Sequence, residues 1–279
     1  YRNTNIVLGI IVIMIMAICV FSIVEITPPT QSAGKSSLLK DIKSLVKNKY
    51  YIMFLGEVFF LFLGYLSMYG AMQYYYSYIV GDVSGMSLAL TLLTLLAIPT
   101  MILAAYLNGK GIAKIKLIQF GAIVDIVGYA ILFFTSNGTI ATMALGLIGL
   151  GFGFRSSMFF SMMPDIFDYT EWQVGRNLGG TQNAIQGFVN KVSSAAASAI
   201  VSALLVWGNY DAAKLDKAIA DGVNIAQAFP KTHTAINFAF GGLALVSTVL
   251  AVLVLVPYDL DKKYPQIRAD LDKRQGKAE

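Results

Sequence analysis

Between His233 and Val256 the chain reads "HTAINFAFGGLALVSTVLAVLVLV", without one Asp, Glu, Lys or Arg. Runs of this kind recur at roughly 6–26, 50–80, 87–107, 117–136, 139–163, 181–207 and 233–256. Each reaches the length of about 20 residues that an α-helix needs to cross a bilayer. Inside hydrocarbon a backbone must satisfy its own hydrogen bonds, so these seven runs predict an all-α, multi-span membrane protein. A soluble core does not account for them. Only 13% of the 279 residues are charged, against about 25% in soluble domains.

The loops between the runs alternate in charge. Fifteen of the 21 Lys and Arg residues fall in 27–49, 108–116, 164–180 and 257–279, and four fall in the opposite set. Lys and Arg are retained on the cytoplasmic side. This predicts an integral multi-pass protein of the plasma (inner) membrane, with Tyr1 outside and the C-terminus in the cytoplasm. The net charge of +5 then follows from topology, so lipid is an expected partner and nucleic acid is not. The first run is longer than a signal-peptide core and no A-x-A-like site follows it. With Tyr1 rather than Met in front, the chain is expected to be a fragment.

Several chemistries lack material. The single cysteine, Cys19, and single histidine, His233, both border or enter apolar runs. They exclude a disulfide framework, and neither a metal site nor catalytic residues are expected. "AGKSS" at 33–37 has Pro29 where a phosphate-binding loop requires glycine. "GLGFGF" at 149–154 follows no strand; Gly146, Gly149, Gly151 and Gly153 are read as places of close helix approach. "NGT" at 137–139 falls on the external side.

Four ionisable residues lie inside the runs: Glu57, Asp125, Arg155 and Lys191. Each costs roughly 2.5–3.5 kcal/mol at a helix centre on insertion scales, so it is expected to be paired or to face a polar cavity. At about 1.5 Å per residue they sit about 10, 12, 13 and 15 Å from the cytoplasmic ends of their spans. Asp125 and Arg155, on consecutive antiparallel spans, are read as a structural ion pair. Glu57 is near enough to the interface to reach it.

Lys191 has patterned surroundings. Asn183, Gln186, Gly187, Asn190, Lys191, Ser194, Ser198 and Ser202 recur at helical intervals, making one polar or small face. Such a stripe faces a cavity or another helix rather than lipid. Tyr65, Tyr69, Gln73 and Tyr76 share a face of the second span, suited to a sugar ring, with Gln73 offering both a donor and an acceptor. Tyr74, Tyr75, Tyr76 and Tyr78 lie near the outer end, where an aromatic belt is ordinary. "PDIFDYTEWQVGRN" at 164–177 places Asp165, Asp168 and Glu171 in an otherwise apolar region, in what reads as a cytoplasmic loop.

These stretches resemble the glycoside–pentoside–hexuronide:cation symporters, the melibiose-permease-like branch of the major facilitator superfamily. "VEITPPTQ", "LLKDIKSLVKNKYY" and "YYYSYIVGD" resemble that family's middle loop and seventh helix. "VPYDLDKKYPQIRADLDKR" resembles its tail. The most specific likeness is to the loop pattern D-x-x-D-Y-G-E-W-x-x-G-K-R-x-E-G, which Asp165, Asp168, Tyr169, Glu171, Trp172, Gly175 and Gly180 match. Thr170, Arg176, Asn177 and Gly179 depart from it.

The resemblance implies the C-terminal six-helix bundle of a major facilitator fold (50–256) plus the preceding sixth helix (1–26). A cytoplasmic middle loop (27–49) and tail (257–279) complete it, and a missing N-terminal bundle is the partner. It also implies secondary transport of a sugar by alternating access, without a cofactor. The coupling cation (Na+, H+ or Li+) is expected mainly at the missing half. Lys191, Gln186, Asn190, Asn183 and Gln73 are the candidates for substrate and coupling. Asp165, Asp168, Tyr169, Glu171 and Arg176 are the candidates for a cytoplasmic gate pairing with the other half. The alternatives are a seven-span receptor or a sugar sensor that does not transport. A retinal protein fits less well, since the last span carries no lysine, and an intramembrane enzyme lacks a nucleophile.

Overall fold

The computed structural model describes residues 2–22 and 38–274. The segment 23–37, which holds "AGKSS" and much of the expected middle loop, lies outside the described residues, as do Tyr1 and 275–279. The chain divides into two units, Tyr1–Ser36 and Ser37–Glu279. The first contains α1 (Arg2–Ser22), apolar on all faces over Ile6–Ser22. A helix of that composition is suited to lipid or to the interior of a helix assembly.

The second unit is also helical throughout its described elements. It comprises α2 (Leu38–Lys47), α3 (Lys49–Tyr74, continuing through a π-helical turn to Val80), α4 (Ser84–Gly109) and α5 (Lys114–Phe134). There follow α6 (Gly138–Val174), α7 (Gly179–Trp207), α8 (Ala212–Ala220) and α9 (Ile225–Ala228). The last rod is α10 (Pro230–Asn237), joined through a π-helical turn at Phe238–Gly242 to α11 (Leu243–Leu255), and α12 (Leu260–Arg274) closes the series. Six of these segments are long and apolar enough to cross a membrane: α3, α4, α5, α6, α7 and the α10–α11 rod.

Two groups of helices make the bundle. One centres on α6, which packs against α4 and α5; the other on α3, which packs against α7 and α11, with α11 also meeting α5. Lipid offers no hydrophobic drive for helices to associate, so close packing must supply it. The glycines of α6 do this on two faces. A Cβ on Gly149 would collide with the backbone of Leu93, and one on Gly153 with Thr100 and Ala97, all on α4. On the other face, a Cβ on Gly151 would collide with Gly121 and Asp125 of α5.

Three boundaries differ from the sequence reading. The predicted loop 164–180 is helical through Val174, so Pro164 lies inside α6. At 37 residues α6 is roughly 55 Å long, well beyond the ~30 Å of a hydrocarbon core. Its acidic end therefore projects past the apolar part, and a change of solvent does not by itself end a helix. Gly175, at φ 78°, ends it in the left-handed conformation. Part of the expected middle loop forms α2, and most of the expected tail forms α12.

Gly149→Val is expected to lower the thermal stability of the bundle by about 1–3 kcal/mol, the usual penalty of overpacking. Gly70→Ala, where no atom lies within 4 Å of the new Cβ, is expected to be neutral or to stabilise by up to ~1 kcal/mol. Thermal melts in detergent check both.

Candidate functional site

Arg155 is 1% exposed and is one of the largest fully buried side chains of the bundle. Its Nη1 donates to Asp125 Oδ2 of α5 at 3.0 Å and its Nη2 donates to Glu57 Oε1 of α3 at 2.8 Å. Asp125 and Arg155 thus meet. Glu57, which by position alone could reach the interface, is instead 3% exposed and is the guanidinium's other partner. Flanking aromatic pairs hold the register: Phe54 stacks on Phe159 and Tyr65 on Phe152, each with ring centroids 4.8 Å apart.

The acidic end of α6 is tied to elements of its own unit. Lys114, at the start of α5, donates to Asp165 Oδ2 at 2.6 Å and to the Ser161 carbonyl at 2.8 Å, next to the break that Pro164 makes in the helical ladder. Asp168 accepts from the Tyr264 hydroxyl at 2.7 Å and from Arg268 at 3.2 Å, both on α12. Trp172 donates to Asp270 at 3.2 Å, and Arg274 donates to the Trp172 carbonyl at 2.9 Å. Arg176 pairs with Asp41 of α2. Tyr169 meets Tyr50 edge to face, with centroids 4.8 Å apart. Glu171 is half-buried.

In the first turn of α3, Tyr50 donates to Asp259 at 2.5 Å, and Lys263 donates to both the Tyr50 hydroxyl at 3.0 Å and Asp259 at 2.7 Å. Hydrogen bonds from Lys263 and Tyr50 hold the Asp259 carboxyl far below its usual range. The same bonds raise Lys263, and the hydrogen bond to Asp168 raises Arg268. Composition offers no signal for this network, because the tail reads as a solvated charge run until α12 is seen lying across the ends of α5 and α6.

The polar face of α7 behaves differently. Lys191 and Asn183 are exposed, while Gln186 and Asn190 are half-buried. Gln186 Oε1 and Asn190 Oδ1 are buried without a hydrogen-bond partner. Gln182, by contrast, is tied into the unit: its Nε2 donates to Thr170 at 3.0 Å and its backbone carbonyl accepts from Tyr51 at 2.8 Å, although its Oε1 is also buried without a partner. Two contacts fix α3 and α7 as parallel neighbours: Tyr51 with Gln182, and Tyr78 with Tyr210 at 3.1 Å. Lys191 then comes level with Phe59 and Phe60. Gln73, also exposed, lies about 20 Å further along α3, so the structure does not place it in the layer of Lys191. Helical spacing relates residues around an axis but says nothing of height across helices. Tyr65 and Tyr69, hydroxyls 3.0 Å apart, fall between the two levels.

The chain matches the family model described as "MFS/sugar transport protein" over residues 2–262. The chain belongs to that family. Its resemblance to the glycoside–pentoside–hexuronide symporters within the major facilitator superfamily agrees with two curated relatives. It is 26% identical over 270 residues to the "Isoprimeverose transporter" of Lactiplantibacillus pentosus, covering 95% of this chain and 53% of that protein. It is 27% identical over 214 residues to the "Inner membrane symporter YicJ" of Escherichia coli K12, covering 75% of this chain and 45% of that protein. The chain spans about half the length of the curated relatives it matches. The family and these relatives are transporters, and this member is an integral multi-pass membrane protein.

Arg155→Met leaves two buried carboxylates without their cation and is expected to cost about 3–5 kcal/mol, read as a lowered melting temperature. Asp168→Asn, whose ion pair with Arg268 is partly solvated, is expected to cost no more than ~1 kcal/mol. Asp259 has a folded value below its unfolded one. Its contribution is complete above about pH 4 and is lost as pH falls through the depressed folded value. The melting-temperature difference between wild type and Asp259→Asn is therefore expected to shrink on acidification.

Proposed function

We propose that this chain is the C-terminal part of a secondary transporter. The transporter moves a glycoside, pentoside or hexuronide together with a cation by alternating access between two helix bundles. The observation that carries this reading is the contrast between the two sets of polar groups in the membrane region. Glu57 and Asp125 are each bonded to Arg155. Lys191, Asn183, Gln186 and Asn190 hold no hydrogen bond or ion pair with any described side chain and share one face of α7. A polar stripe across a membrane is stable when it lines a wet cavity or meets a second bundle.

In this mechanism the amides of Asn183, Gln186 and Asn190 bond sugar hydroxyls as donors and acceptors. The Lys191 ammonium offers charge to substrate oxygens or to acids on the N-terminal bundle, where the cation (Na+, H+ or Li+) binds. The basic end of the bundle is cytoplasmic, as are α2 and α12. There Asp165, Asp168, Tyr169, Glu171 and Arg176 form the cytoplasmic closure, with α12 and α2 as its supports on this side. Charge pairs suit a gate because their net value is modest once desolvation is counted, so they break and re-form with little bias. Gln73 serves nearer the external end, at a different stage of the substrate's path from Lys191.

Lys191→Ala in the complete protein is expected to abolish coupled uptake of labelled sugar, at least ~100-fold below wild type, while leaving thermal stability within ~0.5 kcal/mol. Uptake at the wild-type rate contradicts the role of Lys191. Sugar binding without uptake in the wild type points instead to a sensor.

A further inference from the structure

The group formed by Glu57, Asp125 and Arg155 is unbalanced. It holds two carboxylates and one guanidinium, which are 3%, 1% and 1% exposed. With both acids ionised it carries a net charge of −1, buried where an uncompensated charge is strongly unfavourable. A second observation is independent of that count. Each acid gives one oxygen to Arg155 and keeps the other, Glu57 Oε2 and Asp125 Oδ1, buried and without a partner. A proton on either oxygen cancels the charge and turns an unsatisfied acceptor into a donor.

Among the described residues, the neighbouring elements supply no other cation. Tyr129 of α5 is a titratable neighbour of Asp125 and Arg155, with Tyr65 and Tyr69 of α3 near it in turn, and phenols carry no charge below about pH 10. Within its apolar part α6 has no ionisable side chain besides Arg155, α11 has none, and α4 has only Tyr106, which is exposed. Lys116 and Lys114 lie more than two turns before Asp125 on α5, and Lys114 is taken by Asp165. On α7 Lys191 is exposed. A metal cation needs a shell of several oxygens, whereas Asp125 Oδ1 lies against Gly151 where a Cβ does not fit. A proton needs no such room.

We infer that Glu57, Asp125 and Arg155 form a proton-binding site within the C-terminal bundle, where one of the two carboxyls is protonated in the folded state. Both acids flank the same guanidinium, so the proton is assigned to the group rather than to a single residue. This site is separate from the α7 face and does not rest on the transport reading.

The test is infrared difference spectroscopy of the full chain in lipid nanodiscs, titrated across about pH 5 to 9 with and without Na+, following the C=O stretch of protonated carboxyls. The wild type is expected to show one buried protonated carboxyl per chain at neutral pH, independent of Na+. Glu57→Gln and Asp125→Asn are each expected to remove it, because the remaining acid then balances Arg155 one to one. Should one variant fail to fold, as judged by its thermal melt, the other decides. Absence of the band in folded wild type at neutral pH overturns the inference, as does its survival in either folded variant.

Discussion

A single guanidinium links the two helix groups of this bundle. Arg155 reaches from α6 to α5 on one side and to α3 on the other. Phe159, Arg155 and Phe152 follow one another along α6 as Phe54, Glu57 and Tyr65 do, in the opposite sense, along α3. In water such a group would contribute little, but between membrane helices there is no hydrophobic gain from association to replace it. The glycines of α6 bring the neighbouring backbones close enough for the arginine's bonds to form, and Asp125 sits directly against Gly151. Packing and charge are therefore one arrangement: the space left by absent side chains is where the acid is held.

Against that background, the distribution of polar groups separates what holds the bundle from what the bundle offers. At its basic end, Asp165 and Asp168 bond to α5 and α12, and Arg176 to α2. At mid-depth Glu57 and Asp125 both bond to Arg155. Further along α7, Asn183, Gln186, Asn190 and Lys191 have no such bonds, although helices α3 and α7 are close neighbours along their length. The transport reading grows from that asymmetry, and family membership gives it a class of substrate. The acidic end of α6 is first a structural junction, and any gating role works through supports already present in the same unit.

Much of the fold was legible because its constraints are local. Runs of about 20 apolar residues can only be helices in lipid, and the Gly149–Gly153 stretch announced close packing by lacking side chains. The meeting of Asp125 and Arg155 followed from depth and a short connecting turn. Glu57 was not legible as their partner, since a carboxylate within reach of the interface fits a snorkelling reading equally well. Its role depends on α3 lying against α6, a non-local fact. Helical structure through Pro164 was hidden because proline and charge both argue for a boundary, while Lys114 supports the affected turn from outside the helix. The α7 stripe was visible by period, but the separate height of Gln73 needed two contacts between distant residues.

If the chain transports as proposed, the face of α7 that carries Asn190 and Lys191 lines a watery, substrate-filled space rather than lipid. Ser194 lies on that face, one turn from Asn190, and a cysteine there is a close match in size. The direct measurement places Ser194→Cys in the complete protein, in a background without other cysteines, and follows its labelling by a hydrophilic maleimide in membranes. Labelling is expected, and the transported sugar is expected to slow it at least several-fold. A cysteine that stays unlabelled, or whose labelling is indifferent to every sugar the protein takes up, would contradict it.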